Sequence, residues 1–376
     1  MRLLMVSGDR QVVVGEKGPF HAMLKEFSRH FERIDVLCPR PDRPVSVRTI
    51  YEHVHFHPAD CGRSQMPAYI VRKGGELIAE HGAELIVSHD YGWFYNGIGA
   101  ARLSRKSGVP YVSEIHHVPG HPVAADWRER FDRRIAKRYI RWATPRVVAF
   151  RVVNASEMPQ LLERWGVPRE KIAVLPSLYV DLQVFRPSTA AHGFDQDVLF
   201  VGRMVANKGL LRIADALARL AASGRPTSAL FVGKGPFAAK LRERVKKRGL
   251  TGVRFVEWVE SPRELAEIYR RSRVCVCAST CEGGPRFTVE AMACGTPVVS
   301  TPVGVMSELL ESGERGRLCG FDVASLADAL AFVLSDEERR RALGDAGARE
   351  ARRFEYARTI QTYADGLIAL SEKHSA

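Results

Sequence analysis

The sequence predicts an α/β protein with two doubly wound domains, each built on a parallel β-sheet. Short apolar runs rich in β-branched residues alternate with amphipathic helical segments along the chain, which is the pattern of repeated βαβ units. Several of these runs are apolar almost throughout, as expected for strands that helices cover on both faces. A length of 376 residues allows two domains, each with its own core.

The first half of the chain contains seven predicted strands. The segments between them have helical or turn-forming character, and this alternation indicates parallel strands joined by helical crossovers. In chain order the predicted strands are RLLMV, IDVLC, VHFH, LIVSH, YVSEIH, VVAFRVV and IAVLP.

The second half repeats this pattern after a segment rich in turn-forming residues. Residues 185–197, FRPSTAAHGFDQD, are therefore predicted to link two domains that span residues 1–185 and 186–355. Beyond Asp322 the pattern is helical to the end of the chain. The predicted strands of the second half are DVLFVGR, SALFVGKG, VRFVEWV, VCVCAS and PVVST, and the predicted helices between them include LLRIADALARLAA and FAAKLRERVKKRG.

The composition indicates a globular protein that favours acidic partners. Hydrophobic residues make up 45% and charged residues 26% of the chain, which excludes extended disorder. The net charge of +13 favours nucleic acid, an anionic membrane or phosphate-bearing substrates. No series of aromatic residues for base stacking and no nucleic-acid-binding module is recognisable, so nucleic acid is not predicted as a partner.

The sequence also predicts where the protein is found. Seven cysteines, an odd number scattered among apolar residues, fit a reducing compartment better than a disulfide framework. No apolar run approaches the roughly 18 residues of a membrane span, and the amino-terminal MRLLMV turns polar at SGDR before an export signal forms. We expect a cytoplasmic protein, either free or peripheral on the inner face of the membrane.

Two loops of the second half have residues suited to a diphosphate. Ligands of open α/β sheets bind at the carboxyl ends of the strands, where the loop VGRMVANKG carries Arg203 and Lys208. In CEGGPRFTVEAMAC a helix is predicted to begin near Arg286, and its free amides and positive dipole end form an anion site. Glu282 before the helix and Glu290 within it suit sugar hydroxyl groups, because an ionised carboxylate only accepts hydrogen bonds.

The segment from Glu282 to Glu290 resembles the E-x7-E signature of the retaining family 4 glycosyltransferases, and GRMVANKG is similar to their G-R-x-x-x-x-K-G phosphate loop. GEKGPF, YVSEIH, LPSLYVD and VGKGP extend the resemblance over most of the chain. It implies the GT-B fold of two facing Rossmann-like domains. The domain of residues 1–185 would bind the acceptor, with a helix of about 356–376 crossing back to it, and the domain of residues 186–355 would bind the nucleotide-sugar donor.

The resemblance also implies roles for the residues of the donor site. Arg203 and Lys208 would neutralise the departing nucleoside diphosphate, so that no metal ion and no other cofactor is required. Glu290 would hold the ribose hydroxyl groups. Glu282 would act catalytically, in contact with the donor sugar near the reacting carbon. The donor phosphates would be bound by Arg286 and by the backbone amides around Phe287 and Thr288.

Further implied contacts lie in the first half of the chain. His116, at the end of its predicted strand, would be the second catalytic residue and would approach the sugar from the other domain, with His117 as a competing assignment. Gly15 or Gly18 would lie close to the diphosphate or the acceptor, and Gly18 is the predicted donor-site residue of the two.

The implied activity is transfer of a hexose, with retention of anomeric configuration, from a nucleotide-diphosphate sugar to a hydroxyl acceptor. A glycan or lipid-linked glycan in the synthesis of cell-envelope polysaccharide or glycoconjugates is the expected acceptor. Two alternatives remain open: a GT-B nucleotide-sugar epimerase, and a non-catalytic protein that binds nucleotide sugars.

Several candidates also have structural interpretations. Glu290 is alternatively a solvated helix residue, and Arg203 and Lys208 are alternatively ordinary surface cations. Gly233 and Gly235 are more typical of turns than of ligand contacts.

The basic segment 127–142 has Phe131, Ile135, Tyr139 and Trp142 at helical spacing. It is either an amphipathic helix packed on the first domain or a helix that lies against an anionic membrane surface.

Three segments carry residue types that metal ions bind. DQD, residues 195–197, resembles a manganese-binding aspartate pair but leads into a strand. His53, His55 and His57 alternate along a strand, as in a zinc site or a wet sheet edge. The cysteines of CVCASTC match no common zinc spacing and are expected in a buried strand.

Overall fold

The computed structural model describes residues 1–188 and 193–375, which form two compact units. The first unit consists of Met1–Pro119, Arg130–Ser177 and the residues from Ala357 onward, and the second consists of Gly120–Glu129 and Leu178–Tyr356. Residues 189–192 of the predicted linker and Ala376 at the end of the predicted last helix lie outside the described residues.

Within the described residues fourteen strands form two sheets, and all twelve predicted strands are among them. The two others, β3 and β14, have two residues each and are too short to give a periodic signal. The strands are β1 (Arg2–Val6), β2 (Arg33–Cys38), β3 (Thr49–Ile50), β4 (Val54–Pro58), β5 (Leu85–His89), β6 (Tyr111–Glu114), β7 (Ala149–Val152), β8 (Ile172–Val174), β9 (Gln196–Val201), β10 (Ala229–Val232), β11 (Val253–Val256), β12 (Ser272–Cys277), β13 (Val298–Ser300) and β14 (Arg317–Leu318).

The helices alternate with the strands as predicted. The described α-helices are α1 (Pro19–Phe27), α2 (Met66–His81), α3 (Tyr95–Ser107), α4 (Trp127–Ala143), α5 (Glu157–Arg164), α6 (Leu210–Ala222), α7 (Ala238–Lys247), α8 (Pro262–Arg270), α9 (Arg286–Ala293), α10 (Met306–Leu310), α11 (Val323–Leu334), α12 (Glu337–Ala351) and α13 (Tyr356–Ser375). The predicted helical stretch after Asp322 is broken at Asp336, whose side chain accepts a hydrogen bond from the Arg339 amide and so begins α12.

Each unit contains one sheet, and the order of its strands locates the ligand crevice. The first sheet has the order β3-β4-β2-β1-β5-β6-β7-β8 and is parallel except for β3, while the second, β11-β10-β9-β12-β13-β14, is parallel throughout. Successive strands are first added on one side of β1 and later on its other side, beginning with β5. The same change of side occurs at β9, beginning with β12. In such sheets the crevice lies outside the carboxyl ends of the strands at this change of side. The two doubly wound α/β domains predicted from the sequence are therefore confirmed.

The stretch of the first unit that precedes the linker ends at Ser177, eight residues before the predicted boundary at 185. The side chains of Leu178, Val180 and Phe185 are buried in the apolar core of the second unit. Turn-forming residues marked the linker in the sequence, whereas the burial of these three apolar side chains determines where the compact unit begins.

Helix α4 buries only part of its predicted apolar stripe. Tyr139 is buried, and Ile135 and Trp142 pack against the core of the first unit. Phe131 is 45% exposed, and Trp127, one turn earlier, is 69% exposed. Across the described ranges 1–188 and 193–375, none of the helices has the length and apolar character to pass through a bilayer.

Candidate functional site

Lys208 and Glu282 meet at the carboxyl edge of the second sheet. Lys208 ends a short 3-10 turn after β9, and its ammonium group forms an ion pair with Glu282 Oε1. The hydroxyl of Ser279 donates to the same oxygen at 2.9 Å. The two charged side chains are only 12% and 15% exposed, so their interaction is weakly screened by solvent.

The two loops that carry this ion pair are joined by their backbones. The amide of Thr280 donates to the carbonyl of Asn207 at 2.8 Å, and the Asn207 side chain donates to the Cys281 carbonyl at 3.2 Å. Gly209 has φ +66°, and a Cβ there would lie 2.0 Å from the Ala278 carbonyl oxygen. Only glycine allows this close approach, which fixes Lys208 beside Glu282.

Gly233 and Gly235 are also required by close backbone contacts. A Cβ on Gly233 would lie 2.0 Å from the carbonyl oxygen of Gly202, and one on Gly235 would lie 2.4 Å from that of Met204. The loops after β9 and β10 therefore pack backbone against backbone. The sequence favoured a turn role over a ligand contact at these two glycines, and the close backbone approach is a physical reason for glycine at both positions.

Arg203 lies in the same loop as Lys208, and its side chain is exposed. In the described part of the chain no carboxylate lies within ion-pair distance of its guanidinium group. Arg203 thus presents an uncompensated positive charge at this edge of the sheet, which suits an anionic ligand.

Helix α9 begins at Arg286, as the sequence predicted. Phe287 and Thr288 in its first turn are buried, and both the amide and the hydroxyl of Thr288 donate to the Pro285 carbonyl, at 3.1 Å and 2.6 Å. Thr288 therefore anchors the helix start. The guanidinium of Arg286 lies over the Tyr179 ring at 4.1 Å, so it is held beside the first turn.

Glu290 makes a separate contact with Tyr269 at the end of α8. The Tyr269 hydroxyl donates to Glu290 Oε2 at 3.0 Å. Burial raises the pKa of Glu290 above its usual value, while the Arg286 charge and the Tyr269 hydrogen bond act in the opposite direction. The tyrosine occupies one carboxylate oxygen and leaves acceptor capacity for a ligand hydroxyl group.

His116, after β6 in the first unit, belongs to a cluster around a buried carboxylate. Arg151 Nη1 donates to Glu114 Oε1 at 3.0 Å and lies 3.3 Å from His116 Nε2. Tyr363, on α13, donates its hydroxyl hydrogen to the same Glu114 oxygen. His89, the last residue of β5, places Nε2 3.0 Å from Glu114 Oε2.

Opposite charges control the ionisation of Glu114. Burial alone would raise its pKa, but Arg151 and His89 outweigh this effect and hold the pKa well below its usual range. Glu114 is therefore a carboxylate at neutral pH, although its side chain is fully buried.

The two candidate glycines lie after β1. Gly15 has φ +85° and ends a 3-10 turn, a conformation that favours glycine. Gly18 precedes α1 as its N-cap residue, and a Cβ there would lie 2.9 Å from Gln11 Oε1. Phe20 in the first turn of α1 packs edge-on against the His89 ring, with 5.6 Å between ring centroids. The start of α1 and the histidine cluster are thus neighbours within the first unit.

The first unit also contains a cavity of about 610 Å³. It lies at the carboxyl edge of the sheet, where loops after β1, β2, β4 and β5 line it. Its walls combine basic and aromatic side chains, among them Arg10, Arg40, Arg63, Tyr91 and Trp93. Asp42 pairs with Arg10 at 3.1 Å, whereas Arg40 and Arg63 have no ion pair with a described residue. A larger cavity of about 1030 Å³ along α2 and α3 contains none of the predicted site residues.

The segments considered for metal binding have other partners. His57 Nε2 lies 2.8 Å from Asp35 Oδ1, and Asp197 accepts hydrogen bonds from Ser228. Cys275 and Cys277 are buried in β12, and burial raises the pKa of both thiols. Among residues 1–188 and 193–375 no three His, Cys, Asp or Glu side chains are grouped to hold a metal ion.

Sequence reasoning missed several residues of these clusters. Ser279 follows the end of β12, so the search of strand ends could have included it. Glu114 ends the buried strand β6 and Arg151 lies inside the apolar strand β7, and opposite charges in neighbouring buried strands indicate an ion pair. Tyr269 and Tyr363 gave no signal, because each lies on a helix far in sequence from its carboxylate partner.

Models of known protein families match both halves of the chain. The family model "Glycosyl transferases group 1" matches residues 183–350, and "Glycosyl transferase 4-like domain" matches residues 20–177. A D-inositol 3-phosphate glycosyltransferase of Nocardia farcinica is 31% identical over 319 residues, which cover 77% of this chain and 67% of that protein. One of Frankia alni is 28% identical over 384 residues, covering 92% and 93%.

Two solved structures show the same fold. Sucrose-phosphate synthase from Thermosynechococcus elongatus has a TM-score of 0.80 at 20% identity and covers 99% of both chains. HepE of Anabaena, in complex with UDP and glucose, has a TM-score of 0.76 at 20% identity and covers 98% of this chain and 100% of its own. These neighbours have the GT-B fold, so the predicted fold class is confirmed.

Proposed function

This chain belongs to the glycosyltransferase family of the group 1 and 4-like type, and from that membership we propose a retaining enzyme that transfers a hexose from a nucleotide-diphosphate sugar to a hydroxyl acceptor. The observation that carries the proposal is the mostly buried ion pair between Lys208 and Glu282, because the loop of Lys208 also presents the exposed Arg203. The spacing of Glu282 and Glu290 supports retention through its resemblance to the family signature.

The second unit is the proposed donor site. When the glycosidic bond breaks, negative charge develops on the diphosphate, and Arg203, Lys208 and Arg286 stabilise it together with the free amides at the start of α9, around Phe287; the Thr288 amide already donates to the Pro285 carbonyl. Loss of one preorganised donor of this kind costs about 3 kcal/mol. Because fixed cationic side chains balance the negative charge on the diphosphate, the proposal includes no metal ion and no other cofactor.

The two glutamates take different parts in the proposal. Glu282 contacts the donor sugar near the reacting carbon, where positive character develops and a neighbouring carboxylate is favourable. Glu290 accepts hydrogen bonds from the ribose hydroxyl groups. The contact with Tyr269 supports this role, because it orients the Glu290 carboxylate and keeps part of it available.

The first unit contributes His116 as the proposed second catalytic residue, in contact with the transferred sugar, and Gly18 at the start of α1 near the diphosphate. For the donor itself we propose a UDP-hexose. Support comes from HepE of Anabaena, whose structures include complexes with UDP-glucose and with UDP and glucose.

For the acceptor we propose a molecule with a phosphate group beside a ring. The cavity of the first unit supports this class, since Arg40 and Arg63 offer charge for a phosphate and Tyr91 and Trp93 offer faces on which a ring can stack. A lipid-linked glycan of cell-envelope synthesis, carried on a diphosphate, is the favoured form. A free polyol phosphate has the same chemistry, and the names of the Nocardia and Frankia relatives support it.

We further propose that α4 contacts the anionic inner surface of the membrane. Trp127 and Phe131 are exposed on successive turns, and Phe131 also packs against Trp93, with 6.3 Å between ring centroids. Arg130, Arg134 and Arg138 are exposed on the same helix. Exposed aromatic and basic side chains on one helix are typical of an interfacial helix.

The function is tested with purified protein in two steps. A melting-temperature screen against UDP-, GDP- and ADP-hexoses identifies the donor, and we expect a UDP-hexose to give the largest shift. Nucleotide release is then measured with a polyprenyl-diphosphate-linked sugar or D-inositol 3-phosphate as acceptor. We expect nucleotide release to require one of these two acceptors and the product to keep the anomeric configuration of the donor. The rate of release should be the same with and without a chelator.

Other outcomes of this experiment identify the alternatives. Isomerisation of the sugar nucleotide without an acceptor would indicate an epimerase. A melting shift with no nucleotide release would indicate a binding protein. A product of inverted configuration rejects the retaining mechanism, and loss of activity with chelator rejects the metal-independent donor site.

A further inference from the structure

Arg151 connects the buried carboxylate of Glu114 to the ring of His116. The guanidinium is almost fully buried, and its Nη1 carries two hydrogens, one toward Glu114 Oε1 at 3.0 Å and one toward His116 Nε2 at 3.3 Å. Its Nε and Nη2 donate to the backbone carbonyls of Leu175 and Pro176. These contacts fix the guanidinium in one orientation.

The Arg151 contact determines which nitrogen of His116 carries hydrogen. A guanidinium donates hydrogen bonds and cannot accept them, so His116 Nε2 is the acceptor and has no hydrogen. The ring is then neutral with its hydrogen on Nδ1. Glu114 Oε2 lies 3.7 Å from the same Nε2, which is too far for a hydrogen bond.

The electrostatics around the ring agree with this tautomer. His116 is 46% exposed, yet its Nε2 faces the interior. Loss of water around Nε2 lowers the pKa of His116, and the positive charges of Arg151 and His89 lower it further. Glu114 opposes them. These three groups are the titratable and charged neighbours of His116 in the described parts of β5, β6 and β7, and Tyr363 of α13 lies behind Glu114.

We propose that the buried Glu114–Arg151 pair holds His116 as the neutral Nδ1–H tautomer, so that Nδ1 donates a hydrogen bond to a hydroxyl group of the transferred sugar. The role of Nδ1 rests on the proposed function, whereas the tautomer itself does not. Nδ1 has no hydrogen-bond partner among the described residues, and so it is available to a ligand. Glu114 and Arg151 are positioning residues, because they act on the ligand only through His116.

The Glu114–Arg151 ion pair depends on both charged residues and on α13. A guanidinium in the interior without its carboxylate would be strongly unfavourable. Tyr363 completes the arrangement, because its hydroxyl donates to Glu114 Oε1 and its ring lies 3.7 Å beneath the Arg151 guanidinium. Helix α13 thereby stabilises the orientation of His116.

The tautomer is measured directly by long-range proton–nitrogen NMR of protein labelled with isotopic nitrogen in histidine. The signal that disappears in His116→Asn identifies the residue. At neutral pH we expect a proton-bearing Nδ1 and a bare Nε2. A proton on Nε2, or on both nitrogens, overturns the proposal whether or not the protein transfers a sugar.

Two substitutions test the role of Nδ1 in transfer. The side-chain amide of His116→Asn places its nitrogen near the position of Nδ1, whereas that of His116→Gln reaches the position of Nε2. We expect kcat/KM of His116→Asn to exceed that of His116→Gln by about tenfold, the worth of one hydrogen bond. Equal values, or a higher value for His116→Gln, reject donation from Nδ1 and leave the NMR result on the tautomer standing.

The positioning role is tested with the double variant Glu114→Gln/Arg151→Met, which removes both charges and leaves neither unpaired. With no guanidinium donating to Nε2, we expect the hydrogen of the neutral ring to be shared between Nδ1 and Nε2, and kcat/KM to fall while the affinity for UDP is unchanged. If circular dichroism shows that the double variant does not fold, Tyr363→Phe is measured instead. We expect the same changes in the His116 signal and in kcat/KM, but smaller ones. An unaltered His116 signal in the folded variant contradicts a positioning role.

Discussion

Lys208 and Glu282 form an ion pair in the second unit although 74 residues separate them in the sequence. Each comes from a loop after one of two adjacent strands, β9 and β12, and the backbone contacts between these loops hold the pair together. A mostly buried cation that is already paired cannot move freely to meet a ligand. The pair therefore presents Lys208 in a fixed position, where it can stabilise charge without reorganisation.

Replacing Lys208 by methionine removes this cation and keeps most of the side-chain volume. We expect kcat/KM to fall by at least about 100-fold, because charge on the departing diphosphate is no longer stabilised. The rate is measured as nucleotide release. Lys247→Met, at an exposed lysine of α7, is the matched control and should leave the rate unchanged. Full activity of Lys208→Met would remove Lys208 from the donor site.

Replacing Glu290 by glutamine tests the ribose contact through its dependence on pH. Burial raises the pKa of Glu290, so the wild-type carboxylate becomes protonated at a higher pH than an exposed glutamate, and its affinity for UDP should weaken as the pH falls through that value. Glu290→Gln should bind UDP about tenfold more weakly at neutral pH and lose this pH dependence. Calorimetric titration with UDP at several pH values measures both. Equal affinity and an identical pH profile in the variant would contradict the assignment.

Replacing Arg63 by glutamine tests the cavity of the first unit as the acceptor site. We expect KM for a phosphate-bearing acceptor to rise about tenfold, because a charge-assisted hydrogen bond is lost, while KM for the donor is unchanged. Arg105→Gln on α3, which lines the other cavity, is the control. A larger effect for a diphosphate-linked lipid than for a polyol phosphate would favour the lipid-borne acceptor, and no effect on either acceptor KM excludes Arg63 from the site.

The exposed face of α4 is tested by co-sedimentation with liposomes. Wild-type protein should bind anionic vesicles at low salt and release them at high salt, since surface charges are screened there. Phe131→Ser should weaken binding, because it removes an apolar side chain that would enter the interface. Val174→Ser, at an exposed valine of β8, serves as control. Equal binding of the wild type to neutral and anionic vesicles would reject electrostatic docking.

Asp90 provides a prediction about stability. It is buried, and four hydroxyl groups donate to its Oδ2, those of Ser88, Tyr111, Ser113 and Tyr139. Burial raises the pKa of Asp90 to about 6, against the lowering effect of these hydrogen bonds. The folded state thus holds the proton more tightly than the unfolded state, so this residue lowers the free energy of unfolding as the pH rises from about 4 to above 6.

Comparison with Asp90→Asn isolates the effect, because asparagine does not titrate. Between about pH 4 and neutral pH, the free energy of unfolding of Asp90→Asn should gain about 2 kcal/mol on that of the wild type. Urea unfolding followed by circular dichroism measures the difference. A constant difference over this pH range would mean that Asp90 titrates near its ordinary pKa.

The sequence by itself determined the strands, the helices and the loops that carry the candidate residues. Apolar runs and turn-forming residues are local signals, and they located all twelve predicted strands and the start of α9 at Arg286. The donor-site loops after β9 and β12 could be found because parallel sheets bring the carboxyl ends of their strands to one edge. The two-residue strands and the end, at Ser177, of the stretch of the first unit that precedes the linker had no such local signal.

Only the tertiary structure decided which side chains meet. The partners of Glu290 and Glu114 are tyrosines on helices, Tyr269 and Tyr363, and Arg151 reaches His116 from a neighbouring strand. Similarly, α4 turns Tyr139 inward and leaves Phe131 exposed, although both lie on the predicted stripe. Periodicity fixes the face of a helix on which a residue lies, but packing between elements distant in sequence determines which part of that face is covered and which polar group finds a partner.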